Sequence, residues 1–281
     1  MHNIDVADIT AAVAKLAIDA NYYLSADIFQ ALEDNEKTES SPLGKEILGK
    51  LIQNAKIARD EQMPICQDTG MAVFIIELGQ DVHIVGGTLT DAINAGVAKG
   101  YTEGYLRKSV VSEPLFDRKN TQNNTPAIIH IELVPGDKMK IMLSPKGFGS
   151  ENMSRVFMLK PSDGIEGVKE AVLTAVKDAG PNACPPMVVG VGIGGTFEKC
   201  AILAKKALTR NLEELSTIQY VRDLEDELLV KINKLGIGPG GLGGTKTALA
   251  VNVETYPTHI AGLPVAVNIC CHVNRHVHRV I

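Results

Sequence analysis

The chain has 281 residues, 45% of them hydrophobic and 22% charged, with a formal net charge of −5. That balance fits a globular protein with room for one large core or two ordinary ones, and it excludes a disordered chain. It also leaves no positive footprint for nucleic acid or acidic lipid, and the absence of Trp weakens a base-stacking surface further. The apolar runs are far shorter than a membrane span, and the first residues, MHNIDVADIT, lack a basic stretch followed by an apolar one. A cytoplasmic protein that touches neither membrane nor nucleic acid is expected. Five cysteines, an odd number in a chain of this size, point to thiols rather than to a disulfide framework.

The first third reads as helical. Val6, Ile9, Val13, Leu16 and Ala17 recur at helical spacing over residues 5–20. Ser25 is placed to cap a second helix carrying Ile28 and Leu32, and residues 34–41 read as a polar loop. Ser41-Pro42 then starts a third helix, a capping hydroxyl followed by proline at the first helical position, with Leu43, Ile47, Leu48, Leu51, Ile52 and Ala55 inward to about Arg59.

Met63 to Gly70 follows, with the thiol, amide, carboxylate and hydroxyl of Cys66, Gln67, Asp68 and Thr69 consecutive. A polar knot between a long helix and the apolar run from Met71 is a loop displayed by a scaffold. For a lone cysteine, a buried filler role is the commoner outcome. Strands are expected at 71–78 and 82–85, and a helix capped by Thr90 from Asp91 to about Arg107. Residues 112–126 read as an excursion loop, and Pro135-Gly136-Asp137 as the turn of a hairpin joining 127–134 to 138–143.

The second half carries more polar knots. Pro145 to Asn152 combines two glycines with the free donors Ser150 and Asn152, a setting for close backbone approach to a ligand or simply a turn. A helix over 163–179, with Ile165, Val168, Val172, Leu173 and Val176 inward, leads to Gly180 to Pro186. There, three prolines hold Cys184 on a rigid loop. A strand over 187–193, a helix over 196–210 and another over 217–235 precede the glycine-rich run 236–244. Strands at 247–254 and 264–270 are joined by 255–259, and the chain closes through Cys270-Cys271-His272-Val273-Asn274-Arg275-His276. No repeat and no composition break divides residues 1–281, so a single α/β domain is expected: a helical part over about 1–60, then a mixed-sheet core with cysteines on loops around one cleft.

Two phosphate-type motifs fail on context. Gly190-Val191-Gly192-Ile193-Gly194-Gly195 matches a dinucleotide fingerprint, but no second parallel strand ends near Glu213 or Glu214. Close strand–helix packing explains the glycines as well. Around Lys246 the preceding residue is Thr245 rather than glycine, and a strand rather than a helix follows, so no ATP loop is read. A nucleophile elbow and a C-x-x-C pair are both missing. What remains is Cys66, Cys184 and Cys271, each on a loop or at a strand end. Their wide separation is no spacing rule, but thiolates hold iron–sulfur clusters, and a four-iron cluster on three thiolates keeps one iron open as a Lewis acid.

Pro64 to Gly70, Gly147 to Ser154, Ala183-Cys184-Pro185-Pro186 with Gly190 to Gly195, and Leu263 to Arg275 together resemble the iron–sulfur-dependent (class I) fumarate hydratases, in that family's order and over nearly the whole chain. The resemblance is closest to the α subunit of the two-subunit form, and the related L-tartrate dehydratase α subunits share the three cysteines. It implies a [4Fe–4S] cluster on Cys66, Cys184 and Cys271, with Cys200 and Cys270 outside the ligand set. It further implies substrate contacts from Gln67, Asp68, Arg107, the Gly149 amide and His259, catalytic roles for Asp68, Gln67, Arg107 and His259, and Asp68 beside the substrate hydroxyl. Phe148 departs from the family's usual glycine. The expected reaction is reversible hydration of fumarate to L-malate, a step of the tricarboxylic acid cycle, with a separate β subunit in an α2β2 assembly supplying further groups. Tartrate dehydration and a non-catalytic cluster-carrying role are the alternatives.

Overall fold

The computed structural model describes residues 2–281. Its contacts divide into two compact units: residues 1–24, 55–147 and 275–281 form one, and 25–54 with 148–274 form the other. Both are mixed α/β.

In the first unit, α1 (Val6–Tyr22) and α4 (Leu89–Glu103) pack on one face of a four-stranded sheet. The sheet order is β10 (Val277–Val280), β5 (Met139–Lys146), β2 (Met71–Gly79), β4 (Ile128–Val134). Strand alternation decides which side chains enter the core: Ala72, Phe74 and Ile76 of β2, with Met139, Ile141 and Leu143 of β5. β1 (His2–Asp5) and β3 (Val82–Val85) form a small parallel pair. The Asp5 carboxylate accepts the Ala7 N–H at 2.8 Å and caps α1.

Residues 135–137 do not make a hairpin. β4 pairs with β2 in parallel and β5 pairs with β2 antiparallel, so β2 lies between the two strands they join. The turn passes over the end of β2, where Gly79 N–H donates to Lys138 O, Gln80 N–H to Val134 O and Asp81 N–H to Gly136 O. A turn motif fixes the reversal of the chain and not the identity of the neighbouring strand.

The second unit is built on the sheet β6 (Arg155–Leu159), β9 (Leu263–Cys270), β7 (Met187–Gly195), β8 (Ala248–Thr258). Val189, Val191, Val251, Val253, Val265, Val267 and Ile269 pack with α6 (Gly164–Ala179) and α8 (Gln219–Asn233). The alternate residues meet α7 (Phe197–Ala207). A Cβ on Gly190 would lie 2.1 Å from Ala204 O, and one on Gly192 2.0 Å from Cys200 O. The dinucleotide-like glycines are thus the contact surface for a helix.

Several sequence expectations shift. α2 (Ala26–Thr38) runs through most of the segment read as a loop, and Ser25 makes no side-chain cap bond. α3 (Pro42–Asp60) starts as expected, with Ser41 Oγ accepting the Gly44 N–H at 3.2 Å, but Leu43 is exposed, as is Ile165 on α6. Thr88 rather than Thr90 caps α4, and the helix stops at Glu103, so Arg107 lies beyond it in a loop. β8 absorbs most of the linker before His259. β1, β6 and β10 were not legible in the sequence. No described helix is long and apolar enough to cross a membrane.

Candidate active site

The Cys66 loop is held from several directions within the first unit. The Ile65 N–H donates to Asn21 O at 2.9 Å. Asp68 turns the chain by accepting the Gly70 N–H on Oδ1 at 3.0 Å, an Asx-type turn completed by Gly70 at φ +73°. Tyr101 reaches up from α4 and donates to the carbonyls of Thr69 (2.9 Å) and Gly70 (3.1 Å). Burial pushes its phenol pKa far up, so the hydroxyl stays a donor. Asn124, on the excursion loop, donates to Gly70 O at 3.1 Å and accepts the Ser109 N–H at 2.7 Å. Arg275 donates from Nη2 to Asp68 O at 2.8 Å and from Nη1 to Asn21 Oδ1 at 3.0 Å.

On this pedestal Cys66 is half-buried, Gln67 exposed and Asp68 half-buried. The Cys66 sulfur accepts the Asp68 N–H at 3.4 Å and faces Gln67 Oε1 at 3.5 Å. Arg107 joins the same assembly through its backbone: its carbonyl accepts the Thr69 hydroxyl at 3.1 Å, while the residue itself is exposed.

In the second unit, Cys184 and Cys271 come together. Cys184 caps a short 3₁₀ turn in the left-handed region, φ 51° and ψ 62°, with its N–H on Pro181 O. A non-glycine residue held there is strained, and such strain concentrates at functional positions. Its carbonyl accepts His272 Nδ1–H at 3.0 Å, which brings the residue following Cys271 against the Cys184 loop. Gly149 lies on the neighbouring short helix α5 (Phe148–Glu151), and a Cβ there would stand 3.7 Å from Asn182 O. α5 is anchored by Glu151, which accepts Lys205 Nζ at 2.5 Å and Asn268 Nδ2 at 3.0 Å.

His259 is not part of this grouping. It follows β8 and precedes β9, whereas Cys184 precedes β7 and Cys271 follows β9. β7 and β9 are antiparallel, with Cys270 opposite Val188. The length of β9 therefore separates His259 from the two cysteines, roughly 25 Å at the rise of an extended strand.

The five thiols divide by environment. Cys200 and Cys270 are buried, Cys184 is exposed, and Cys66 and Cys271 are half-buried. Burial pushes the Cys200 thiol pKa up, and it donates to Phe197 O at 3.2 Å, as a structural thiol does. The three accessible loop thiols are of the donor type that iron–sulfur clusters take. Cys66 belongs to one unit, Cys184 and Cys271 to the other. Within neither unit, among the described residues, do three His, Cys, Asp or Glu side chains already converge as a metal site. Sequence reasoning passed over Asn21, Tyr101, Asn124 and His272. Tyr101, Asn124 and His272 hold backbone carbonyls from distant parts of the chain, and Asn21 accepts from Ile65 and Arg275; no local pattern marks such roles.

A family profile described as "Fumarate hydratase (Fumerase)" matches residues 10–280. The chain belongs to that hydro-lyase family. Its relatives include a Methanocaldococcus jannaschii protein named "Putative L(+)-tartrate dehydratase subunit alpha", 44% identical over 274 residues that cover 95% of each chain. The L(+)-tartrate dehydratase subunit alpha of Escherichia coli K12 is 31% identical over 271 residues, 95% of this chain and 88% of its own. The protein of that name from Shigella sonnei matches to the same extent.

Proposed function

We propose that this chain is the α-type subunit of a hydro-lyase acting on a four-carbon dicarboxylate, with hydration of fumarate to L-malate as its reaction. The observation that carries the reading is the separation of the thiols into three accessible loop cysteines, Cys66, Cys184 and Cys271, and two buried ones. These three would hold a [4Fe–4S] cluster, which when bound supplies a Lewis acid at its open iron.

The chain's own residues supply binding and proton handling. Asp68 stands one position beyond Gln67 and two beyond Cys66, on a loop whose backbone is fixed by Arg275 and Tyr101. It is assigned to the substrate hydroxyl, holding or moving its proton. Gln67, exposed beside the Cys66 sulfur, orients the same end of the substrate. The Arg107 guanidinium, beyond the end of α4, clamps a carboxylate, best through two parallel hydrogen bonds. The Gly149 amide contributes a further donor. His259 is left without a role beside these groups of its own chain. The thiols suit a reducing compartment such as the cytoplasm.

A partner chain belongs to this reading, because the relatives are named as α subunits. We infer a β subunit, in an α2β2 assembly, that completes the carboxylate-binding set. The names of the relatives also favour a second reading, dehydration of L(+)-tartrate to oxaloacetate, and the site residues serve both reactions. The test is anaerobic co-expression with the partner chain, followed by kcat/KM for fumarate, L-malate and L(+)-tartrate. Preference for fumarate and malate supports the first reading, preference for tartrate replaces it with the second, and turnover of neither removes both.

A further inference from the structure

Lys146 is a buried cation without an acceptor. It is 3% exposed, and its enclosed Nζ has no hydrogen-bond partner. An unpaired ammonium out of water is strongly unfavourable, so a fold retains one where something else supplies the counter-charge.

Its position says what that something is. Lys146 is the last residue of β5, opposite Met71 in the register with β2, directly beside the exit of the Cys66 loop. Its backbone presses on that loop so closely that a Cβ on Gly70 would come within 2.7 Å of it. Strand alternation places Met139, Ile141 and Leu143 in the core and sends Ser144 and Lys146 to the other face. Ser144 shows what lies there: its hydroxyl donates to Arg275 O at 3.0 Å, and Arg275 in turn holds Asp68. The next residue, Gly147, fits between them, since a Cβ there would stand 3.0 Å from Asp68 Oδ2 and 3.9 Å from Arg275 Nη2. Lys146 thus leaves the sheet on the face that carries the Asp68 loop, with a second buried cation, Arg275, whose Nε is also without a partner.

We propose that Lys146 is a substrate-binding residue whose ammonium receives a carboxylate of the dicarboxylate. The inference rests on the dicarboxylate hydro-lyase reading above. Lys146 is preformed for an anion, and the substrate brings two. A fold that buries this charge empty trades stability for binding, so removing the charge weakens binding without weakening the fold.

The experiment uses the chain with its partner subunit, purified anaerobically, as wild type, Lys146→Gln, Lys146→Met and Lys146→Arg. Measured are KM for the substrate, the shift in unfolding temperature on adding succinate as an unreactive dicarboxylate, and the cluster's absorption and electron paramagnetic spectrum. Expected is a rise in KM of about tenfold or more in the Gln and Met variants, as for loss of a charge-assisted hydrogen bond. The succinate shift should be lost, the unfolding temperature without ligand should be no lower than wild type, and the Arg variant should recover part of the binding. Unchanged KM and succinate shift overturn the proposal. So does an altered cluster spectrum with unchanged KM, which would make the ammonium a counter-charge to the cluster, or failure of both neutral variants to fold, which would make it structural. If wild type itself neither turns over nor is stabilised by any dicarboxylate, the functional reading fails instead.

Discussion

Arg275 donates to the carbonyl of Asp68 at 2.8 Å, a bond between residues 207 apart in sequence. With its second arm on Asn21, itself bonded to Ile65, this one guanidinium fixes both ends of the loop that displays Cys66, Gln67 and Asp68. Arg275→Met would leave Asp68 O and Asn21 Oδ1 without this donor in a buried place. The expected loss is about 2–4 kcal/mol of unfolding free energy. Denaturant unfolding of the variant checks it, and a loss below about 0.5 kcal/mol would remove the clamp from the account.

Glu39 holds the residues that follow the glycine-rich run 236–244, Thr245 and Lys246, within the second unit. It is 1% exposed and accepts N–H groups from Ser41, Thr245 and Lys246, with the Thr245 hydroxyl as well. Burial alone would push its carboxyl up, but those donors outweigh it and hold it below the ordinary glutamate value. With the folded value below the unfolded one, the stabilisation is complete above the ordinary glutamate range, near pH ~4.3, and is lost as pH falls through the folded value. Glu39→Gln should cost about 2–3 kcal/mol at neutral pH. It should also flatten the fall in stability on acidification. An acid-unfolding profile with the wild-type slope would contradict this.

The packing of β7 on α7 makes a third prediction. A methyl on Gly192 has no room against Cys200 O and Ala204 N, both of them backbone atoms. Gly192→Ala should lower stability by about 3 kcal/mol or more, or prevent folding. Gly136→Ala, with nothing within 4 Å of its Cβ, meets no such clash and should cost only what its φ of +107° imposes. Thermal unfolding of the pair gives the comparison.

These sites also show what the sequence could and could not carry. Periodicity located α1, α3, α6, α7 and α8, because each buries one stripe of apolar side chains. It failed at β6 and β10, whose exposed alternate residues break the apolar run; β4 and β5 were placed as strands, but a turn motif could not reveal the strand inserted between them. The glycines of β7 had two readings until Ala204 and Cys200 were seen against them. The chemistry-bearing loops were legible because Cys66 and Cys184 sit among residues that form neither helix nor strand. What holds those loops was not, since Arg275, Tyr101 and Asn124 act over long separations. Nor could the sequence show that Lys146 lacks an acceptor, or that β9 separates His259 from Cys271.

The central claim is that Cys66, Cys184 and Cys271 hold the cluster and that Cys200 and Cys270 do not. Anaerobic reconstitution with iron and sulfide, followed by iron and sulfide content of the five single Cys→Ser variants, tests it most directly. Wild type, Cys200→Ser and Cys270→Ser should bind about four irons per chain, while each of the three loop variants falls well short. Full loading of Cys271→Ser with loss in Cys270→Ser, or no cluster in the wild type, would contradict the account.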